Sequence, residues 1–192
     1  MTEVLLEHIK KYIPITDETA GQIMKAFTTF NLQKREMVVA EGEVCSRIYF
    51  VSKGCLRMFY MDDKGTEQTI QFALENWWMT DIEAFNRNGK SSFSIQAVEN
   101  TILLGITKND WDELLKKCPE LEKYFRLIYE RAYSASLFRM KFFRLPKDEF
   151  YDLFFDRYPE FIQRIPQKLV ASFLGFTPEY LSELRKKKVK KK

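Results

Sequence analysis

The chain has 192 residues, 45% of them apolar, enough for one large core or for a medium domain followed by a small one, with two units expected, and no run approaches the roughly 20 apolar residues of a membrane helix. Three scattered cysteines (Cys45, Cys55 and Cys118) and one histidine, His8, exclude a CxxC metal site and predict buried thiols. The net charge of +4 is unevenly spread: residues 1–145 carry 20 basic and 20 acidic groups, whereas residues 146–192 carry 11 and 7.

The opening MTEVLLEHIKKYIP lacks the basic, apolar, small order of a secretory leader, so a soluble cytoplasmic protein without membrane contact is expected. Residues 16–30 place Ala20, Ile23, Phe27 and Phe30 at helical spacing behind a capping Thr16, which predicts a first helix. From Leu32 to Ile106 the pattern changes to short β-type runs, MVV, RIYFVS, CLRMFYM, TIQFAL, FSIQAV and TILLGI, separated by EGE, SKG, DDKG and VEN. Asp62-Asp63-Lys64-Gly65 marks a hairpin, while the facing of Leu56, Met58 and Tyr60 against Arg57, Phe59 and Met61 stays ambiguous. Trp77 and Trp78 line an apolar pocket or simply belong to the core.

Helical spacing returns at Thr107, whose hydroxyl caps KNDWDELLKK with Asp110 at the third position. After Pro119 a long helix carries Leu121, Phe125, Ile128, Ala132 and Ala135 at steps of 4, 3, 4 and 3, a seam expected to join two copies of the chain. Pro146 and the acidic KDEFYD stretch read as a hinge into the last unit.

That unit holds the strongest pattern, QKLVASFLGFTPEYLSELRK at 167–186. Two helices crossing steeply at a tight turn need a small residue at their approach, a residue tolerant of positive φ in the turn, and inward apolar groups on both sides. Ala171, Gly175 and the set Val170, Leu174, Phe176, Leu181 and Leu184 meet these needs, with Thr177 capping the second helix and Pro178 in its first turn. A helix-turn-helix reading double-stranded DNA follows. On this surface, which starts at Thr177, Glu179 is expected to accept from a cytosine amino group, Tyr180 and Ser182 to meet bases or phosphate, and Arg185, Lys186 and Lys187 to lie along phosphates, with Glu183 either orienting Arg185 or Lys186 or rejecting wrong sites by repulsion. The basic run Arg185–Lys192 suits a polyanion, or else a solubilising tail. No nucleophile–base pair or phosphate loop is apparent, so an enzyme is not expected. The alternative is a ligand-binding module whose C-terminal helices dock a protein through Phe173 and Phe176.

The stretch SRIYFVSKGCLRMFYMDDKGTEQTIQFAL, with Gly54 between strands, and ASFLGFTPEYLSELRK together resemble the family of the cyclic-AMP receptor protein and the FNR-type (Crp/Fnr) regulators. The resemblance implies an α+β chain. A jelly-roll sensor (a double-stranded β-helix, cyclic-nucleotide-binding-like) occupies residues 1–118, a dimerisation helix 119–145 and a helix-turn-helix domain 146–192. It further implies a homodimer regulating transcription on two-fold operators, with RNA polymerase left open as a further partner. Family members that bind cyclic nucleotides use a Gly-Glu element followed by Arg-Ser. The matching positions here are Thr80, Asp81, Glu83, Ser91 and Ser92, with no arginine, Asp81 in place of the ribose-binding glutamate, and Arg87 and Lys90 nearby. Cyclic AMP binding is therefore not expected. No cofactor is expected either, an unknown small-molecule effector stays open, and three cysteines are too few for an FNR-type cluster. The six residues after Lys186 are too few for a wing, so either the domain has little or no wing or the basic tail takes over its phosphate contacts.

Overall fold

The computed structural model describes residues 2–190 and the side chains of residues 2–187. Two compact units emerge, one of residues 1–60 and 70–129, the other of residues 61–69 and 130–192.

The first unit opens with α1 (Thr2–Lys10), a helix the local pattern did not announce, whose Leu5, Leu6 and Ile9 are buried together with Ile13. Thr16 then caps α2 (Asp17–Ala26) by accepting from the Thr19 N–H at 3.1 Å. The helix ends at Ala26, short of the expected Phe30. Phe27 turns extended, and Phe30 lies in β1 (Thr28–Leu32), paired with β8 (Thr101–Thr107). The remaining strands are β2 (Met37–Val39), β3 (Arg47–Lys53), β4 (Leu56–Met61), β5 (Glu67–Ala73), β6 (Trp78–Met79) and β7 (Ser94–Ala97). They form two four-stranded sheets, in the orders β1-β8-β3-β6 and β2-β7-β4-β5.

Both faces of the first sheet are covered, which is why β3 and β8 read as almost continuous apolar runs. Tyr49, Val51 and Leu103 join Leu56, Met58, Ile95 and Ala97 in one core. Ile48, Phe50, Leu104 and Ile106 meet α1, α2, α4 (Lys108–Lys117) and the first turns of α5 (Glu120–Phe142) in another. Inward-facing Leu56 and Met58 settle the ambiguity in β4, although Arg57 and Phe59 on the other face are buried as well, the guanidinium 4.0 Å from the ring centroid. Gly54 has φ +100°, and a Cβ there would sit 2.5 Å from Thr101 Oγ1, so the turn before β4 admits no side chain.

Thr107 caps α4 as expected, accepting from Asp110 N–H. The division at 118/119 does not follow the units, because Leu121, Tyr124 and Phe125 of α5 belong to the first unit's core.

In the second unit the presumed hinge is helical. Pro146 stands at the N-cap of α6 (Lys147–Arg157), whose early carboxylates Asp148 and Glu149 suit the helix dipole, and whose Phe150, Tyr151 and Phe154 are buried. After α7 (Pro159–Arg164) come α8 (Gln167–Leu174) and α9 (Pro178–Lys190). Residues 61–69 join this unit because Ser172 Oγ donates to the Glu67 carbonyl and accepts from the Thr69 N–H, each at 2.8 Å.

Candidate nucleic-acid interface

The turn between α8 and α9 follows from three local choices. Gly175 adopts φ 70°, ψ 31°, and its N–H closes α8 on the Ala171 and Ser172 carbonyls. Phe176 follows with its N–H on the Ala171 carbonyl at 2.9 Å, and the Thr177 hydroxyl accepts from Tyr180 N–H at 3.2 Å to start α9. Val170, Ala171, Leu174, Phe176, Leu181 and Leu184 are all buried. Phe150 meets Phe176 edge-on at 6.0 Å and Phe154 lies 5.9 Å from Phe173, so α6 braces the pair. Both phenylalanines of the protein-docking alternative are thus engaged inside the unit. Desolvation lowers the Arg139 guanidinium, 4.4 Å from the Phe173 centroid, to about 10.

Burying Leu181 and Leu184 turns Glu179, Ser182, Glu183 and Lys186 outward, within an arc of roughly 100° at 100° per residue. Glu179, Glu183, Lys186 and Lys187 are exposed, Ser182 is half-buried, and exposed Thr177 serves as the cap. Two expected contacts stand elsewhere. Tyr180 is half-buried and packs edge-on against Phe176 at 5.5 Å. Arg185 donates from Nη1 to Gln167 Oε1 at 3.3 Å, back toward the start of α8. Sequence reasoning missed Lys147, exposed with its Nζ 5.6 Å from the Tyr180 centroid, which brings a cation from the start of α6 beside the first turn of α9. The tail's proposed replacement of a wing rests on Lys188–Lys192, whose side chains lie outside the described residues.

The nucleotide cassette folds into a knot. Asp81 is buried at the N-cap of α3 (Ile82–Arg87), where one carboxylate oxygen accepts from Ala84 N–H at 3.2 Å. The other accepts from Ser92 N–H at 2.9 Å and stands 3.2 Å from Ser91 Oγ. Buried Ser91 also donates to the Phe93 carbonyl at 2.7 Å, and Thr80 Oγ1 donates to the Arg47 carbonyl at 2.9 Å. Asp81, expected in a ribose-binding position, is therefore occupied with internal donors. Glu83 pairs with Arg87 at 3.0 Å on the surface, so one of the two candidate phosphate cations already has a carboxylate on it.

Trp78 is core, packed among Phe50, Trp111 and Phe125, whereas Trp77 is exposed. The Trp78 indole donates to Tyr124 Oη at 2.9 Å, and that hydroxyl lies 2.8 Å from His8 Nδ1, so the one histidine ties α1 to α5. Burial pushes the Tyr124 phenol well above its ordinary range, against the lowering effect of the Trp78 hydrogen bond. The three cysteines are free and buried, and among the described residues no three His, Cys, Asp or Glu side chains gather as metal ligands. Nor is any described helix long and apolar enough to cross a membrane.

Residues 29–118 match the family described as cyclic nucleotide-binding domain. No curated protein matches the chain. Among solved structures, FixK2 from Bradyrhizobium japonicum is 15% identical with a TM-score of 0.69, over 84% of this chain and 83% of that one. The Thermus thermophilus catabolite activator protein is 19% identical with a TM-score of 0.56, over 94% and 86%. A putative Crp/Fnr-family regulator from Eubacterium rectale is 16% identical with a TM-score of 0.69, over 94% and 88%. Residues 29–118 thus match the cyclic nucleotide-binding domain family, and the chain has the fold seen in these solved structures, a putative Crp/Fnr-family regulator among them.

Proposed function

We propose that the protein is a transcription regulator that binds double-stranded DNA through α9 as a homodimer, with a sensor domain that does not take cyclic AMP. One observation carries the reading: over a fully buried helix-turn-helix core, α9 presents the polar row Glu179, Ser182, Glu183 and Lys186, with Lys187 beside it. Such a row suits a helix whose first turns enter a major groove and whose later cations meet phosphates. The dimer forms through the exposed stripe Tyr129, Tyr133, Leu137 and Met140 of α5, a two-fold arrangement that places two copies of α9 on a two-fold operator. Against cyclic AMP stand the missing arginine, the committed Asp81 carboxylate and the Glu83–Arg87 pair. An effector of different chemistry, or none, acts on the sensor.

The test is fluorescence anisotropy of the full chain on duplexes selected from a random pool, across a salt series. Binding should weaken steeply with salt, by about one unit of slope for each phosphate contact, and Gly175→Val should abolish it. Failure of every duplex at low salt, or full binding by Gly175→Val, refutes the reading. Calorimetry should show no cyclic AMP binding, and a sub-micromolar affinity would overturn the account of the cassette.

A further inference from the structure

The chain's single histidine has no part in the DNA-binding reading, yet it is 7% exposed. The ring projects from α1 among others: Tyr12 at 5.1 Å, Phe50 of β3 at 5.5 Å and Tyr124 of α5 at 5.8 Å. His8 Nδ1 lies 2.8 Å from Tyr124 Oη, which stands 2.9 Å from the Trp78 indole nitrogen. An indole N–H can only donate, so the phenol oxygen accepts from Trp78. Tyr124 is 0% exposed and burial keeps its hydroxyl protonated, so that proton goes to His8 Nδ1. The chain of bonds from Trp78 through Tyr124 to His8 therefore requires a neutral imidazole with its proton on Nε2.

Protonation replaces that acceptor by a donor. Nδ1–H then faces an oxygen that already accepts, the buried phenol proton loses its acceptor, and a charge enters the core. The titratable groups set against the ring are the phenols of Tyr12 and Tyr124, while β3 and β6 present Phe50 and Trp78. On α1 itself Glu3 is exposed and Glu7 pairs with Lys10 at 3.4 Å. On α5 Glu120 accepts from the Thr19 hydroxyl, and Glu122 and Lys123 are exposed. Arg47 of β3 lies over Phe30 on the other side of the sheet, and Lys53 is exposed.

We propose that His8, Tyr124 and Trp78 form a proton-sensitive latch in which neutral His8 holds α1 on α5 and protonated His8 releases it. The undocked ring takes up a proton at the ordinary value of about 6.5, and the docked ring resists it. The undocked state thus binds more protons, so docking is fully present above that pH and weakens below it, by up to about tenfold per unit. The latch gives the first unit an input that needs no small molecule, and it stands or falls apart from the DNA-binding reading.

The experiment uses the full chain at pH 7.5, 6.5 and 5.5. Protection of the Ile9 and Lys10 amides against hydrogen exchange, corrected for the intrinsic effect of pH, should fall about twofold at pH 6.5 and roughly tenfold at pH 5.5. The one histidine gives one set of ring signals by NMR, and these should shift only together with the loss of protection. His8→Gln keeps an acceptor for the Tyr124 hydroxyl but cannot titrate, so its protection should stay level with pH. Level protection in the wild type, or a His8 ring that titrates near pH 6.5 while α1 stays protected, overturns the latch. So does His8→Gln with the wild-type loss, since another group would then be titrating. If His8→Gln is already loose at pH 7.5, the wild-type ring signals decide by themselves.

Discussion

Asp81→Ala separates a structural carboxylate from a ligand-binding one. The side chain is 6% exposed and accepts from Ala84 N–H and Ser92 N–H, with the Ser91 hydroxyl 3.2 Å away. Losing the cap on α3 costs about 1 kcal/mol. Losing the charge-assisted bond from Ser92 N–H costs about 2 kcal/mol more. The Ser91 hydroxyl adds little, because it already has the Phe93 carbonyl at 2.7 Å. The expected loss is about 3 kcal/mol, a large part of an ordinary domain's stability. Trp77, Trp78 and Trp111 all lie in the first unit, so tryptophan fluorescence during urea unfolding reports on that unit. With a slope near 2 kcal/mol/M the midpoint should fall by about 1.5 M. Asp81→Asn keeps one acceptor but turns its amide donor toward another donor, so its midpoint should lie between the two. A midpoint within about 0.3 M of wild type for Asp81→Ala would show that the carboxylate holds nothing in the fold, and the reasoning against a ligand role would collapse.

Leu137→Asp should dissociate a dimer formed on the exposed stripe of α5, as seen by light scattering. Ile128→Asp should instead lower the first unit's urea midpoint, because Ile128 packs on that unit's core, and the opposite pattern would restore the seam first read from the sequence. Thr177→Ala removes the acceptor for Tyr180 N–H and should cost about 1 kcal/mol, read as roughly fivefold faster exchange of the Tyr180 and Leu181 amides, and unchanged exchange would deny the cap. Asp62 is held below the ordinary carboxylate range by the Thr66 N–H first, then by Gln68 and Lys64. With the folded value depressed, the hairpin clasp is fully present above the unfolded pKa and is lost as pH falls through the folded one. Protection of the Lys64 and Thr66 amides should therefore persist through about pH 4 and disappear below it, and earlier loss refutes the clasp.

What the sequence discloses here is what its neighbours in the chain decide. The αL glycine, the caps at Thr16, Thr107 and Thr177, and the inward set from Val170 to Leu184 involve partners within a few residues, and all take the expected form. The end of α2 was illegible because Phe27 and Phe30 fit a helix as well as a strand. Pairing with β8, about 70 residues away, decides for the strand. Whether Asp81 meets a ligand or a backbone depends on Ser91 and Ser92 folding back onto it, from ten and eleven residues further along the chain. Arg185 and Tyr180 were assigned by position along α9, whereas their directions are set by Gln167 and Phe176.

The seam on α5 shows why one apolar stripe underdetermines a helix that passes from one unit into another. Leu121 and Phe125 are 1% and 6% exposed, and Ile128 is packed beside them, so the first part of the 4-3-4-3 set is spent on the first unit's own core. Where that core ends the requirement changes, and Ala132 and Ala135, which continue the stripe, are exposed. From Tyr129 onward, four large apolar groups, Tyr129, Tyr133, Leu137 and Met140, lie on a face turned by roughly 100° from the buried one, while exposed Phe138 stands apart from them. They are 41%, 67%, 43% and 57% exposed within the single chain, a contiguous row that water does not favour. The two stripes overlap in sequence and share a period, so hydrophobic spacing merges them. Burial separates them, giving the first to the unit's own core and leaving the second exposed.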